Sequence, residues 1–237
     1  MKDKEQQMKT KIFLAGILCA CAMNAADMAS LQKTLDENKL KANILEVQEL
    51  GSGLDMVIVN INDQQVPFLA TQDGKLMFQP ETLLVQSPAL RTSIDSFYEK
   101  LYKKEKAKID NKLKSVFKKQ YDKVFTFKAK KSTNKTIYIV SDPNCPYCKQ
   151  EFAMLDKRLE DANVELLIVG FLSEDSMLRA ANALKEKTAS QVSNFKMLQK
   201  IYYADYKAPK VDTESARELT ESVIQTGARS VPYIIEE

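Results

Sequence analysis

Two cysteines separated by a proline and a tyrosine, at positions 145–148, constrain the fold of this chain more than any other feature. The β-branched run from Thr136 to Val140 predicts a buried strand before them, and the stretch from Tyr147 to Asp161 has helical spacing. Cys145 is therefore expected where a strand turns into a helix, with Cys148 one helical turn deeper and less exposed.

This position gives the two thiols different chemistry. The unpaired backbone N–H groups and the dipole at a helix N-terminus would stabilise a thiolate at Cys145. Pro146 suits the first helical turn because its missing N–H costs nothing there. Cys148 lies within disulfide reach, so one sulfur can attack a disulfide while the other resolves the mixed disulfide. The spacing thus predicts thiol–disulfide exchange.

The composition argues against other uses of the pair. Lys plus Arg number 35 and Asp plus Glu 32, so there is no global basic field to favour nucleic acid. The chain has no histidine, which excludes Ser-His-Asp and Cys-His nucleophiles. A zinc site would need the cysteines of two copies, and Lys149 after Cys148 excludes haem attachment. An inert buried pair is a further alternative, and no metal or other cofactor is expected.

The other two cysteines, Cys19 and Cys21, fall in a predicted secretory signal that comprises residues 1–26. Lysines precede an apolar run over residues 12–22 that is too short for a membrane span, and Ala20-Cys21-Ala22 resembles a cleavage site. The same residues also resemble a lipoprotein box in which Cys21 would carry a lipid anchor. Both interpretations predict export to a compartment in which disulfides persist.

Charge divides the rest of the chain into three predicted segments. Residues 27–90 hold 4 basic and 9 acidic residues, residues 91–123 hold 11 and 5, and residues 124–237 hold 16 of each. The first segment predicts a small α+β unit, with a helix from Asp27 to Asn38 followed by short strands. Its core would be thin, so burial against a second copy would stabilise it.

The other two segments predict a long helix and an alternating α/β domain. Apolar residues of 91–123 recur at helical spacing, with Thr92 or Ser93 as the helix cap and the lysines as a solvated face. Within 124–237, two buried-type strands flank the helix that follows Cys145, which predicts parallel pairing of those strands. Three further helices and a final strand complete this segment.

A second part of the site is predicted at Val231-Pro232, after the turn at Gly227. A proline directly before an apolar strand segment can have a cis peptide bond that brings the backbone close to a thiol. An ordinary proline at the start of a strand is the alternative. The sequence therefore predicts a second segment near the cysteines without establishing it.

Residues 142–150 (Asp-Pro-Asn-Cys-Pro-Tyr-Cys-Lys-Gln) and Val231-Pro232 resemble the active site of the bacterial Dsb proteins, in particular the DsbC/DsbG group. The resemblance implies an α/β fold class: a thioredoxin-like domain with a helical insertion, preceded by a small α+β (cystatin-like) dimerisation domain and a linker helix. It also implies that Cys145 is the nucleophile and Cys148 the resolving thiol. The substrate site would be lined by Val231, Pro232, Pro146 and Tyr147.

The same resemblance implies the activity and the partners. The expected protein is a periplasmic homodimer that isomerises or reduces wrong disulfides in misfolded exported proteins. A membrane electron donor of the DsbD kind would keep its cysteines reduced. A dithiol oxidase of the DsbA kind and a chaperone dimer without catalysis are the alternatives.

Three positions depart from the pattern of the group. Val231 stands where DsbC and DsbG carry threonine, and valine there resembles the monomeric oxidase DsbA. Ile139 stands where thioredoxins place a buried acid, so that proton acceptor is absent. The chain ends at Glu237, shortly after the proline strand, so the C-terminal end of the domain is expected to be short.

Overall fold

The computed structural model describes residues 26–51, 53–62, 64–203 and 205–237. The predicted signal segment, with Cys19 and Cys21, lies outside the described residues. The chain forms two compact units, which are divided between Leu101 and Tyr102. None of the helices in the described part of the chain combines the length and the apolar composition that crossing a membrane requires.

The first unit contains one helix and a four-stranded antiparallel sheet in the order β1-β2-β3-β4. Its elements are α1 (Met28–Glu37), β1 (Ala42–Glu49), β2 (Leu54–Ile61), β3 (Gln64–Thr71) and β4 (Met77–Phe78). Successive residues of β2 are buried on opposite faces of the sheet: Val57 packs with Leu31 of α1, and Met56 packs with Phe97. The predicted α+β unit is therefore confirmed, with helical residues on both faces of its sheet.

The long helix α2 (Pro88–Lys119) begins earlier than the sequence predicts. Pro88 is its first residue, and the Ser87 hydroxyl accepts a hydrogen bond from the N–H of Leu90 at 3.3 Å. The predicted cap at Thr92 or Ser93 is therefore wrong by about one turn, because proline is tolerated in the first turn and serine caps it.

The second unit is built on a mixed four-stranded sheet in the order β5-β7-β6-β8. The strands are β5 (Phe125–Phe127), β6 (Thr136–Ser141), β7 (Asn163–Ile168) and β8 (Tyr233–Glu236). β6 runs parallel to β7 and antiparallel to β8, which confirms the predicted parallel pair. β5 pairs antiparallel with β7, and the sequence pattern does not predict it, because three residues are too few to show a period.

Helices cover this sheet, and residues of the second half of α2 contribute to its core. The helices are α3 (Pro146–Ala153), α4 (Leu155–Arg158), α5 (Glu174–Glu186), α6 (Gln191–Ile201) and α7 (Glu214–Ile224). Leu113 and Phe117 of α2 pack in one core cluster with Leu219 of α7. The single helix predicted from Tyr147 to Asp161 is wrong, because Met154 (ψ 0°) interrupts it and divides it into α3 and α4.

Candidate active site

Cys145 and Cys148 lie at the junction between β6 and α3. β6 ends at Ser141, and Cys145 is the residue that caps α3, with extended backbone angles (φ −72°, ψ 123°). Pro146 is the first residue of the helix, where its missing N–H leaves no hydrogen bond unmade. Both cysteines are free thiols in this structure. The strand-to-helix position expected from the sequence is present.

The Val231-Pro232 segment lies directly against Cys145. The Cys145 Sγ is 3.3 Å from the carbonyl oxygen of Val231, to which the thiol donates a hydrogen bond. The peptide bond between Val231 and Pro232 is cis. Two predicted parts of the site that are 86 residues apart in the sequence are thus in contact through a thiol and a carbonyl. Pro146 and Tyr147 are exposed beside them, the latter with 69% of its surface accessible.

Cys148 is fully buried and occupies a different environment from Cys145. Its Sγ accepts a hydrogen bond from the backbone N–H of Asp142 at 3.3 Å. Burial raises the pKa of Cys148 to about 12, while the Asp142 N–H and the Ser141 hydroxyl act in the opposite direction. Cys148 is therefore a protonated thiol at neutral pH, and its thiolate needs stabilisation when it forms.

Asp142 organises the turn between β6 and α3, a role that the sequence analysis did not assign. Its carboxylate accepts three backbone N–H hydrogen bonds, from Asn144 at 2.8 Å, Phe171 at 2.7 Å and Leu172 at 2.9 Å. The Asp142 carbonyl also accepts the N–H of Cys145 at 3.1 Å. One buried carboxylate thus joins the turn that carries Cys145 to the segment that follows β7.

Asn144 makes a second link from this turn, to the first turn of α5. Its side-chain amide donates to Asp175 at 2.8 Å and to the Ser176 hydroxyl at 3.2 Å. This hydrogen bond from Asn144, together with the Arg179 guanidinium, lowers the pKa of Asp175. The residue before Cys145 is therefore held by a carboxylate that stays ionised at neutral pH.

A buried pair of hydroxyl groups lies beside Cys148. The Ser141 Oγ and the Tyr202 hydroxyl oxygen are 2.5 Å apart, and both residues are buried. The Tyr202 ring stacks on Phe152 of α3, with ring centroids 4.6 Å apart. The sequence carries no signal for this contact, because 61 residues separate the two hydroxyls and only the fold brings α6 to the end of β6.

Ile139 is buried in the same core cluster as both cysteines. A buried carboxylate does occur on α3: Glu151 accepts a hydrogen bond from Arg158 at 2.6 Å, and Arg158 also donates to Glu236 of β8 at 2.6 Å. The Glu151 carboxylate is therefore engaged in an ion pair with Arg158. Within the described part of the chain, no group of three Cys, Asp or Glu side chains has the arrangement of a metal site.

Two protein-family models match the chain, one in each half. The family described as the N-terminal domain of the disulfide isomerase DsbG matches residues 31–113. The thioredoxin family matches residues 129–231, which include both cysteines and Val231. No curated protein sequence matches the chain significantly.

Solved structures with a similar fold include Helicobacter pylori DsbG, at 22% identity and a TM-score of 0.51, covering 88% of this chain and 99% of that one. The catalytic domain of Proteus mirabilis ScsC is 16% identical over 52% of this chain and 85% of its own, with a TM-score of 0.33. A periplasmic thioredoxin-like protein from Salmonella enterica serovar Typhimurium is 21% identical over 48% and 78%, with a TM-score of 0.32.

The family matches agree with the architecture of the described residues. The matched N-terminal segment contains the four-stranded sheet of the first unit, and the matched thioredoxin segment contains β6, α3 and β7. The predicted fold class is confirmed. The described residues thus combine a segment that matches the DsbG N-terminal family with a thioredoxin-like domain.

Proposed function

We propose that this protein is a thiol–disulfide oxidoreductase that isomerises or reduces wrong disulfides in misfolded exported proteins. The observation that carries the proposal is the 3.3 Å contact between Cys145 Sγ, at the N-terminus of α3, and the carbonyl of Val231. A thiol in this position has helix N–H groups on one side and a backbone segment on the other. That arrangement suits attack on a disulfide held in an extended polypeptide.

The proposed reaction begins with the thiolate of Cys145. It attacks one sulfur of a substrate disulfide, which forms a mixed disulfide with the enzyme and releases the other substrate sulfur as a thiolate. In isomerisation, a substrate thiolate then attacks the mixed disulfide, and Cys145 leaves as a thiolate. In reduction, the thiolate of Cys148 attacks the Cys145 sulfur instead, the bond to the substrate breaks, the substrate sulfur leaves as a thiolate, and the enzyme keeps the Cys145–Cys148 disulfide. Each route exchanges one sulfur–sulfur bond for another without a bound cofactor, and after reduction the enzyme disulfide must be reduced again by an electron donor.

The surface around Cys145 is suited to unfolded polypeptide. Tyr147 and Leu172 have large exposed side chains, and the backbone N–H of Leu172 donates to the Asp142 carboxylate that organises the turn. Val231 and Pro232 are partly exposed. We assign Val231, Pro232 and Tyr147, together with Pro146, to substrate binding, because exposed apolar groups beside a reactive thiol recognise non-native chains without sequence preference.

We further propose that the N-terminal domain makes the protein a homodimer. The match to the DsbG N-terminal family supports this, as does a set of large apolar side chains that are exposed on the first unit. These are Met28, Leu45, Leu76, Phe78, Leu83 and Leu84. In this proposal residues 27–90 form the dimerisation domain, 91–123 the linker helix and 124–237 the catalytic domain. A monomeric mass by light scattering would contradict it.

The proposed location is the periplasm, after removal of residues 1–26 or with a lipid anchor at Cys21. The proposed reductant is a membrane electron donor of the DsbD kind, because isomerisation requires the Cys145–Cys148 pair to be reduced. Thiol trapping in intact cells tests this point. A mostly reduced pair is expected, whereas a mostly oxidised pair would favour the dithiol oxidase, the alternative that Val231 before the cis-proline supports.

The central test is an insulin-reduction assay together with refolding of a substrate with scrambled disulfides. Wild type should be active in both assays, and Cys145→Ala should be inactive in both. Equal activity in the two proteins would overturn the proposal. A chaperone without catalysis is the second candidate, favoured by the exposed apolar side chains. It predicts no thiol activity in wild type, and unchanged suppression of aggregation when Cys145 and Cys148 are both replaced by alanine.

A further inference from the structure

Cys148 must lose a proton before it can attack, yet the carboxylates around it are engaged elsewhere. Ile139 fills the position of the buried acid in thioredoxins and packs in the core beside Cys148. Asp142, whose N–H donates to Cys148, uses its carboxylate to accept three backbone hydrogen bonds. Since burial opposes the charged form of Cys148, its thiolate needs stabilisation from other groups.

Two hydroxyl groups lie close to Cys148: the Ser141 hydroxyl acts on its thiol, and Tyr202 belongs to the same buried core cluster. Ser141 directly precedes Asp142 at the end of β6, and its Oγ is 2.5 Å from the Tyr202 hydroxyl oxygen. Tyr202 is in turn positioned by Phe152, one turn after Cys148 on α3, at a centroid distance of 4.6 Å. Buried hydroxyl groups are normally hydrogen-bonded, and a buried pair whose hydrogen bonds are satisfied is held rigidly in place.

We propose that Ser141 donates a hydrogen bond to Cys148 Sγ when Cys148 becomes a thiolate, and that Tyr202 is the positioning residue that orients Ser141. The pair would thus stabilise the anion where thioredoxins use an acid to accept the proton. The inference rests on the proposed function, because it concerns the step in which Cys148 releases a reduced substrate. Ser141 would touch a reacting atom, whereas Tyr202 would act through Ser141.

The burial of Tyr202 bears on which hydroxyl of the pair can donate, since either oxygen can be the donor in this contact. Burial raises the pKa of Tyr202 well above its usual value, so its hydroxyl stays protonated throughout the reaction. It can therefore donate to Ser141 Oγ, which leaves the Ser141 hydrogen free for the sulfur. In the described part of the chain, the titratable groups that act on Cys148 or hydrogen-bond to it are Cys145 before α3, Asp142 after β6 and Tyr202 after α6.

The step that Ser141 would assist is the release of the reduced substrate from the mixed disulfide. The thiolate of Cys148 attacks the Cys145 sulfur of the mixed disulfide, which forms the Cys145–Cys148 bond and breaks the bond between Cys145 and the substrate. The substrate sulfur leaves as a thiolate, so the substrate is reduced and the enzyme is oxidised. The proton that Cys148 loses is taken up, through water, by the departing substrate thiolate.

The test separates the two thiols kinetically. Reduced enzyme in excess is mixed in a stopped-flow instrument with an aryl disulfide that releases a coloured thiolate. Attack by Cys145 releases the first aryl thiolate, and attack by Cys148 on the aryl mixed disulfide releases the second. Ser141→Ala and Tyr202→Phe are compared with wild type over a range of pH. Ser141→Thr keeps the hydroxyl, and Tyr203→Phe is the matched control because Tyr203 is exposed next to Tyr202.

We expect the second phase of Ser141→Ala to be roughly tenfold to a hundredfold slower, as for a lost hydrogen bond to a charged group, with the first phase unchanged. Its pH profile should move to higher pH, because the thiolate of Cys148 is less stable without the donor. Tyr202→Phe should show a smaller slowing of the same phase. Ser141→Thr should retain most of the rate, and Tyr203→Phe should match wild type.

Two results would overturn the assignment. The first is a second phase in Ser141→Ala that equals wild type at every pH. The second is an equal slowing of both phases, because a loss of packing alone acts on both thiols. Absence of the first phase in wild type is a different failure: it would overturn the proposed thiol–disulfide function itself, and this inference with it.

Discussion

The hydroxyl of Tyr233 donates a hydrogen bond to Asp110, with 2.8 Å between the two oxygens. Tyr233 directly follows the cis-proline at 232 and opens β8, whereas Asp110 lies in the second half of α2. Lys106 pairs with the same carboxylate at 2.7 Å and lies 5.4 Å from the centre of the Tyr233 ring. The first residue of β8, two positions after Val231, is therefore held to α2 by a side-chain hydrogen bond.

Removing the Tyr233 hydroxyl should loosen this tie. We expect Tyr233→Phe to lower the free energy of unfolding by about 1 kcal/mol, the usual value for one hydrogen bond, measured by urea denaturation. Because the Val231 segment is then less restrained, the KM for insulin reduction should rise more than kcat falls. Tyr121→Phe is the control, since Tyr121 is exposed. An unchanged unfolding free energy would contradict the prediction.

Replacing Asp142 by asparagine should disturb the turn that carries Cys145. The amide retains one acceptor oxygen, so at least one of the three backbone N–H groups then faces an NH₂ group. We expect a loss of about 1–3 kcal/mol in unfolding free energy, the cost of an unsatisfied buried group. Asp122→Asn on the surface should be neutral in the same denaturation series. A loss no larger than that of Asp122→Asn would be inconsistent with the role assigned to Asp142.

Arg158 is expected to stabilise the fold and to take no direct part in the reaction of the cysteines. Its removal leaves the buried Glu151 carboxylate without a partner, and removing one partner of a buried pair costs about 3–5 kcal/mol. Because Arg158 is itself partly exposed, we expect Arg158→Ala to cost about 2–3 kcal/mol. Thermal or urea unfolding measures the loss, and Lys157→Ala is the exposed neighbouring control. A second change, Glu151→Gln, should recover part of the loss, whereas an additive loss would argue against the pairing.

The reduced protein should lose stability at alkaline pH through Cys148. Its pKa is about 12 in the folded protein against a usual value of 9.0, so above 9.0 the unfolded chain releases the proton while the folded protein keeps it. The unfolded state then binds fewer protons, and the unfolding free energy falls as pH rises through this range. We therefore expect the unfolding free energy of wild type to fall relative to that of Cys148→Ser as the pH rises from about 8 to about 10. A constant difference would contradict the assigned environment.

Short-range features of this chain were predictable because they rest on local chemistry. The strand before Asp142, the helix after Cys145 and the parallel pairing of β6 with β7 follow from side-chain period and from the rules of βαβ connection. The predicted helix boundaries are wrong where more than one local backbone conformation suits the same residues. The start of α2 at Pro88 and the interruption at Met154 depend on the first turn and on a single ψ angle, which a hydrophobic period does not define.

The sequence by itself determined that two thiols stand at the start of a helix, because a cysteine spacing and a strand-to-helix pattern are both readable within about 15 residues. Only the tertiary structure decided what surrounds them. The Val231 carbonyl reaches Cys145 across 86 residues, and Tyr202 reaches Ser141 across 61. Contacts of that range depend on how helices pack on a sheet. Both cysteines become buried only once the chain has folded, and their different hydrogen-bond partners, the Val231 carbonyl for Cys145 and the Asp142 N–H for Cys148, form only then.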